Sequence, residues 1–147
     1  MWKWQVVDQS LYVGSTQNDL PSDKLAIFDM DGTIIVTKSK KTNPKNANDW
    51  EFFDHSVPVR LRKLKSEGFR IIILSNQKGV SLGHVCHSEI QSKIEAWSAR
   101  VGIEMTALFA SKGDHYRKPE IGAWTYIQKV LNPLPIDHNL SVLSRLL

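Results

Sequence analysis

Asp29 and Asp31 stand two residues apart in Asp29-Met30-Asp31-Gly32-Thr33, directly after the apolar run Leu25-Ala26-Ile27-Phe28. In an extended chain, residues i and i+2 point to the same side. Two carboxylates therefore project together, and Gly32 lets the backbone turn sharply beneath them. Such a pair can hold a hard cation through oxygen. It can also divide labour, one carboxylate attacking while the other donates and accepts protons. Asp-x-Asp-Gly opens calcium loops too, but the further acidic positions of such a loop do not follow here. A turn with two solvated aspartates is the bland reading, and the apolar run before Asp29 counts against it.

Two more segments carry chemistry. Ser75-Asn76-Gln77-Lys78-Gly79 follows the apolar Ile71-Ile72-Ile73-Leu74. A hydroxyl with free backbone N–H groups behind it can cradle a phosphoryl oxygen; a polar turn explains the same residues equally well. His115-Tyr116-Arg117-Lys118-Pro119 places a lysine beside a proline that suits the first turn of a helix. There its ammonium can reach the other two sites, although a lone lysine is more often a solvated charge.

These segments need elements to position them. Trp2, Trp4 and Val6 alternate with Lys3, Gln5 and Val7, which predicts a half-buried strand, with Leu11-Tyr12-Val13 as its hairpin partner. Residues 25–28, 69–74 and 105–110 have the length and composition of buried parallel strands. Residues 58–67 are helical, with Gly68 at the C′ position. Ile90, Ile94, Trp97 and Val101 form one stripe of a helix that a Ser88–Gln91 capping box would start and Gly102 would end. A last helix follows Pro119, with Trp124, Ile127 and Leu131 inside. Strand and helix thus alternate, so the expected fold is α/β: a Rossmann-like parallel sheet with helices on both faces. Ligands of such sheets sit at the carboxyl ends of the strands, where all three chemical segments fall.

Taken together, the three segments resemble the haloacid dehalogenase superfamily of phosphotransferases. The resemblance runs from Asp29 to Pro119 and implies a haloacid dehalogenase-like sheet. It implies that Asp29 attacks phosphorus to form an aspartyl phosphate. Asp31 would protonate the leaving oxygen and later activate water. Ser75, Asn76 and Lys118 would hold the phosphoryl oxygens. Mg²⁺ would be the cofactor, bound by Asp29 and Asp31, and with Lys118 it would neutralise a phosphate that otherwise repels the nucleophile. About forty residues separate the first two parallel strands, too few for a large cap, so an open site is expected.

Within the superfamily the chain is most similar to the phosphatase domain of polynucleotide kinase 3′-phosphatases. The similar segments are Phe28 to Ile35, Asn48-Asp49-Trp50, Ser75 to Val80 and Tyr116 to Pro119. Histidinol and heptose phosphatases share some of these but carry a cysteine-rich zinc loop, and residues 105–118 here contain no cysteine. The implied function is hydrolysis of the 3′-phosphate at DNA strand-break ends, and the implied address is the nucleus. The resemblance fails at the fourth motif. Further acidic residues should follow a fourth strand, yet residues 140–147 are Leu-Ser-Val-Leu-Ser-Arg-Leu-Leu. The expectation is one phosphatase-like domain over residues 1–147, incomplete at its C-terminal side, with weakened Mg²⁺ binding and reduced activity. A dead fragment or a binder of phosphorylated ends is the alternative, and a small-metabolite phosphatase the weaker one.

The remaining composition narrows the partners. The chain has 147 residues, 41% apolar and 23% charged, and a net charge of +4. A moderate positive balance leans toward anionic partners. Lys38, Lys40, Lys41 and Lys45 form a basic patch that can track phosphates, with Trp50 beside it as a candidate for base stacking. A solvated loop explains the same lysines. One cysteine, Cys86, excludes a disulfide framework and reads as a small apolar filler in a reducing compartment. There is no membrane-length apolar run and no triphosphate loop. A monomer without membrane contact is expected, with DNA ends bearing 3′-phosphate as partner.

Overall fold

The computed structural model describes residues 1–137 and 142–144. Its main sheet has six strands: β1 (Trp2–Val7), β2 (Leu11–Thr16), β3 (Leu25–Phe28), β6 (Arg70–Asn76), β7 (Thr106–Ala110) and β8 (Val142–Ser144). Their spatial order is β1-β2-β7-β6-β3-β8. β3 pairs in parallel with β6 and β8, and β6 in parallel with β7. β3, β6 and β7 hold the apolar runs of the sequence, buried on both faces as parallel strands require.

The faces separate by the alternation of side chains. Ala26, Ile71, Ile73, Ala107 and Phe109 point to one side, where Leu61 of α1 (Val57–Ser66) and Ile90, Ile94 and Trp97 of α2 (His87–Val101) cover them. Leu25, Ile27, Ile72, Leu74 and Leu108 point to the other, beneath Ala123 of α3 (Gly122–Tyr126) and Ile127. Helices thus lie on both faces, in an α/β architecture.

The sequence reading needs correction in four places. The sheet is mixed, because the β1–β2 hairpin joins it antiparallel to β7. Trp4 faces Gly14 across that hairpin, and a Cβ on Gly14 would lie 2.4 Å from the indole ring. The glycine lets the ring lie on the backbone, stacked on Trp2. Second, α2 starts at His87 behind Cys86, and no side chain caps it, so Ser88 is inside the helix and forms no capping box. Cys86 is exposed and fills no core gap. Third, α3 starts at Gly122, and its continuation over Ile127–Leu131 is a π-helical turn. Pro119 therefore precedes the helix, and Lys118 lies in the loop before it. Fourth, the segment between β3 and α1 carries a hairpin that the sequence pattern did not suggest. β4 (Ile35–Val36) and β5 (Glu51–Phe52) pair as a small hairpin, and residues 37–50 connect them.

No helix among the described residues is long and apolar enough to cross a membrane. The expected fourth strand falls at Val142–Ser144; residues 138–141 and 145–147, where the fourth motif was sought, lie outside the described residues.

Candidate active site

β3, β6 and β7 are adjacent and parallel, so their carboxyl ends open on one edge of the sheet. Asp29 follows β3, Ser75 is the penultimate residue of β6, and the loop carrying Lys118 follows β7. The Lys118 ammonium lies 3.1 Å from Asp29 Oδ1 and donates to the Leu74 carbonyl at 2.7 Å. Only a tenth of the Lys118 side chain is exposed, which strengthens its field at the carboxylate. The Met30 N–H also donates to Asp29 Oδ1, at 2.9 Å. Oδ2 takes no hydrogen bond from the described residues. One oxygen of Asp29 is fixed and the other is available.

Gln77 ties two predicted residues together. Its Nε2 donates to Asp31 Oδ2 at 2.7 Å and to Ser75 Oγ at 2.9 Å. Ser75 is buried, and its hydroxyl proton is engaged by none of the described residues. Asp31 keeps solvent-accessible surface but stands among crowding protein atoms. That desolvation raises its pKa above the ordinary carboxyl value, and Asp29 raises it further. The Gln77 hydrogen bond and the charges of Lys93 and Lys118 oppose the rise without cancelling it. A carboxyl that retains its proton to higher pH suits proton donation.

Asn76 has a different task from the one expected of it. Its Oδ1 accepts the Lys118 N–H at 2.9 Å, and its Nδ2 donates to the Lys118 carbonyl at 3.2 Å. Both ends of the amide hold the lysine's backbone, so the side chain positions a residue that can bind phosphate. The backbone beyond Ser75 is also less free than predicted, because the Gln77 N–H donates to the Ala110 carbonyl. Gln77 and the clamping role of Asn76 escaped sequence reasoning. A polar pair immediately after a buried strand was the available signal.

The loop 37–50 forms a wall. Asp49 anchors it, accepting hydrogen bonds from the Ser39 N–H, the Ser39 hydroxyl and the Lys45 N–H. These bonds, led by the Ser39 hydroxyl, hold its pKa down at about 2. A cavity of about 340 Å³ lies between this loop and the sheet edge, reaching Asp31, Gln77, Lys41 and Lys93. Asp29, Ser75 and Lys118 do not line it; they connect to it through Asp31 and Gln77. Lys41 lines this cavity and Lys45 an adjoining one. Lys38 is exposed elsewhere on the loop, and Lys40 bonds Glu51 at 2.8 Å. Trp50 is 8% exposed, packs edge-on against Phe52 and is capped by the Arg100 guanidinium. Its faces are covered, so it cannot stack on a base and belongs to the core.

The oxygen donors at Asp29 and Asp31 fit Mg²⁺. That ion keeps several waters and takes one or two carboxylates together with substrate phosphate. Among the described residues no group of three or more His, Cys, Asp or Glu side chains could hold a metal ion.

Residues 24–143 match the family described as polynucleotide kinase 3 phosphatase. A bifunctional polynucleotide phosphatase/kinase of Schizosaccharomyces pombe is 33% identical over 134 residues, covering 88% of this chain and 32% of the relative. A polynucleotide 3′-phosphatase of Arabidopsis thaliana is 25% identical over 144 residues, covering 88% of this chain and 20% of the relative. The chain thus spans a third or less of these two proteins. Among solved structures, a HAD-like phosphatase from Mesorhizobium loti superposes with a TM-score of 0.75 at 17% identity, over 95% of this chain and 71% of the other. That likeness concerns the fold.

Proposed function

Because this chain belongs to the polynucleotide kinase 3 phosphatase family, we propose that it hydrolyses the phosphomonoester at the 3′ end of a polynucleotide strand break. The observation that supports the reading is the pair Asp29–Lys118, with the ammonium 3.1 Å from one carboxylate oxygen and the other oxygen engaged by none of the described residues.

The steps follow from the residues. Lys118 and the Ser75 hydroxyl bind the phosphoryl oxygens and draw phosphorus toward Asp29. Asp29 Oδ2 forms a bond to phosphorus as the bond to the 3′ oxygen breaks. Asp31 gives its proton to that leaving oxygen, and its raised pKa keeps the proton available. The resulting carboxylate then takes a proton from water, the water oxygen bonds to phosphorus, and Asp29 is released with inorganic phosphate. Gln77 holds Asp31 facing this exchange. Mg²⁺, held by the Asp29 carboxylate and the Asp31 backbone carbonyl, would supply charge neutralisation for the phosphoryl oxygens and leave the Asp31 carboxyl free to carry its proton.

The test offers a 3′-phosphorylated oligonucleotide and a small sugar phosphate, each with Mg²⁺, to the chain and to Asp29→Asn. Phosphate release from the oligonucleotide, reduced to background in the variant, is expected. Turnover of the sugar phosphate alone would overturn the substrate assignment. Salt-sensitive binding without release would make the chain a binder of phosphorylated ends.

A further inference from the structure

Lys93 lies on the buried face of α2, with Ile90, Ile94 and Trp97, and is 5% exposed. A lysine this deeply placed normally has a partner, because an unpaired buried charge is costly. Among the described residues Lys93 has no hydrogen bond and no carboxylate within ion-pair distance. Glu89, one turn earlier on the same helix, forms no such pair with it. The charge does act on Asp31 through space. The side chain lines two cavities: the one that reaches Asp31, and an adjoining one of about 500 Å³ that also holds Lys45, Lys78 and Arg117. Both cavities share Asn43, Pro44, Gln77 and Lys93, so they adjoin at this point.

Building on the phosphatase reading above, we propose that the Lys93 ammonium is the anchor for a second phosphate of the substrate, the one on the 5′ side of the nucleotide whose 3′-phosphate is removed. The first cavity offers in Lys93 a buried cation with no ion-pair partner among the described residues, next to the proton-transferring Asp31, and Lys41 of the loop lines it too. Beyond it the lining turns basic. A lone phosphomonoester needs none of this, because Lys118 and Ser75 serve it. A polynucleotide end has a phosphodiester one nucleotide along, and its entry would give Lys93 the anion that the protein withholds. Such a contact would make Lys93 a specificity-determining residue. The same second phosphate could come from an internucleotide linkage or from a small bisphosphate, and the linkage fits the continuation of the basic cavity better.

Three substrates resolve the matter: thymidine 3′-phosphate, thymidine 3′,5′-bisphosphate, and dithymidylate with a 3′-phosphate. Each is compared on the unmodified chain, on Lys93→Met and on Lys93→Gln, in turnover with Mg²⁺ and in equilibrium binding. The unmodified chain should favour the two substrates with a second phosphate. Both variants should lose at least about tenfold more kcat/KM and affinity on those two than on thymidine 3′-phosphate. The salt dependence of dithymidylate binding should also flatten, by about 0.7 in log–log slope for one lost contact. A gain for the bisphosphate without one for dithymidylate would assign the site to small bisphosphates. Equal losses on all three substrates, with a shifted pH profile, would show that Lys93 only tunes Asp31 and would overturn the proposal. So would a large fall in melting temperature, since methionine should suit this apolar surrounding. Absence of turnover on every substrate would refute the phosphatase reading, while the binding comparison would still decide this one.

Discussion

Asn76 decides whether Lys118 arrives where it is needed. Both of its amide groups are engaged by the backbone of Lys118, and the ammonium is then aimed by Asp29 and the Leu74 carbonyl. Asn76→Ala should leave the lysine's charge in place but release its backbone. A displacement of about 1 Å from productive geometry can cost on the order of 10²-fold in rate. The expected result is a fall in kcat of roughly that size, read by steady-state kinetics on a 3′-phosphorylated oligonucleotide. A risen KM with kcat intact would instead mean direct binding of substrate by the amide. Asp31 permits a sharper test. With its carboxyl replaced in Asp31→Asn, an alkoxide leaving group loses its proton donor, and water loses its base. Nitrophenolate leaves without a proton. Asp31→Asn should therefore release about one equivalent of nitrophenolate from nitrophenyl phosphate and then stall, with Asp29 phosphorylated. Mass spectrometry would detect the adduct, and unchanged multiple turnover would contradict the role given to Asp31.

At the scale of elements, the loop 37–50 depends on one carboxylate. Asp49 ties it through Ser39 and Lys45, and its pKa is lowered from the ordinary 3.8 to about 2. A depressed carboxyl pKa stabilises the folded arrangement above the unfolded value, and that contribution is lost as pH falls through the folded one. The wall should hold at any pH above about 4 and loosen between about 4 and 2. Amide hydrogen exchange of residues 39–45 across this range measures it, and Asp49→Ala should show the fast exchange already at neutral pH. This wall also shows what the sequence could and could not convey. β3, β6 and β7 were legible because each contains a run of four apolar residues followed by a polar one. β4 and β5 were not, since two residues each carry no periodicity. Trp50 looked available because its neighbours in sequence are polar. Its burial comes from Phe52 and from Arg100, fifty positions away, and such pairing leaves no local trace. Lys118 lies beside Asp29 at the strand ends, but the helix expected to start beside it begins at Gly122.

At the scale of the whole molecule, chemistry and stability occupy opposite edges of the sheet. At the amino ends of the parallel strands, the Asp19 carboxylate is fully buried and pairs with Arg70 Nε at 2.8 Å. Arg70 also donates to the Leu131 carbonyl and to Thr106 Oγ1 at 3.1 Å, and Thr106 donates to Asp19. One guanidinium thus links the start of β6, the start of β7, the segment after β2 and the end of the π-helical turn. Removing one partner of a buried pair strands the other charge, which typically costs about 3–5 kcal/mol. Lys65 Nζ also lies 3.5 Å from Asp19 Oδ1, so Arg70→Ala leaves Asp19 one weaker, partly exposed partner and should lower unfolding stability toward the low end of that range, about 3 kcal/mol, in urea titrations. Replacing both groups with apolar ones of similar size removes the stranded charge, so Asp19→Leu with Arg70→Met should be less destabilised than Arg70→Ala alone. The network lies at the strand starts, and Asp29, Ser75 and Lys118 lie at the strand ends. Well below its melting temperature, Arg70→Ala should accordingly keep a kcat within about threefold of the unmodified chain, because the hydrogen bonds of Asn76 and Gln77 do not pass through Arg70. A loss of kcat parallel to the loss of stability would mean that the two edges are coupled through β6, the strand that begins at Arg70 and ends at Asn76.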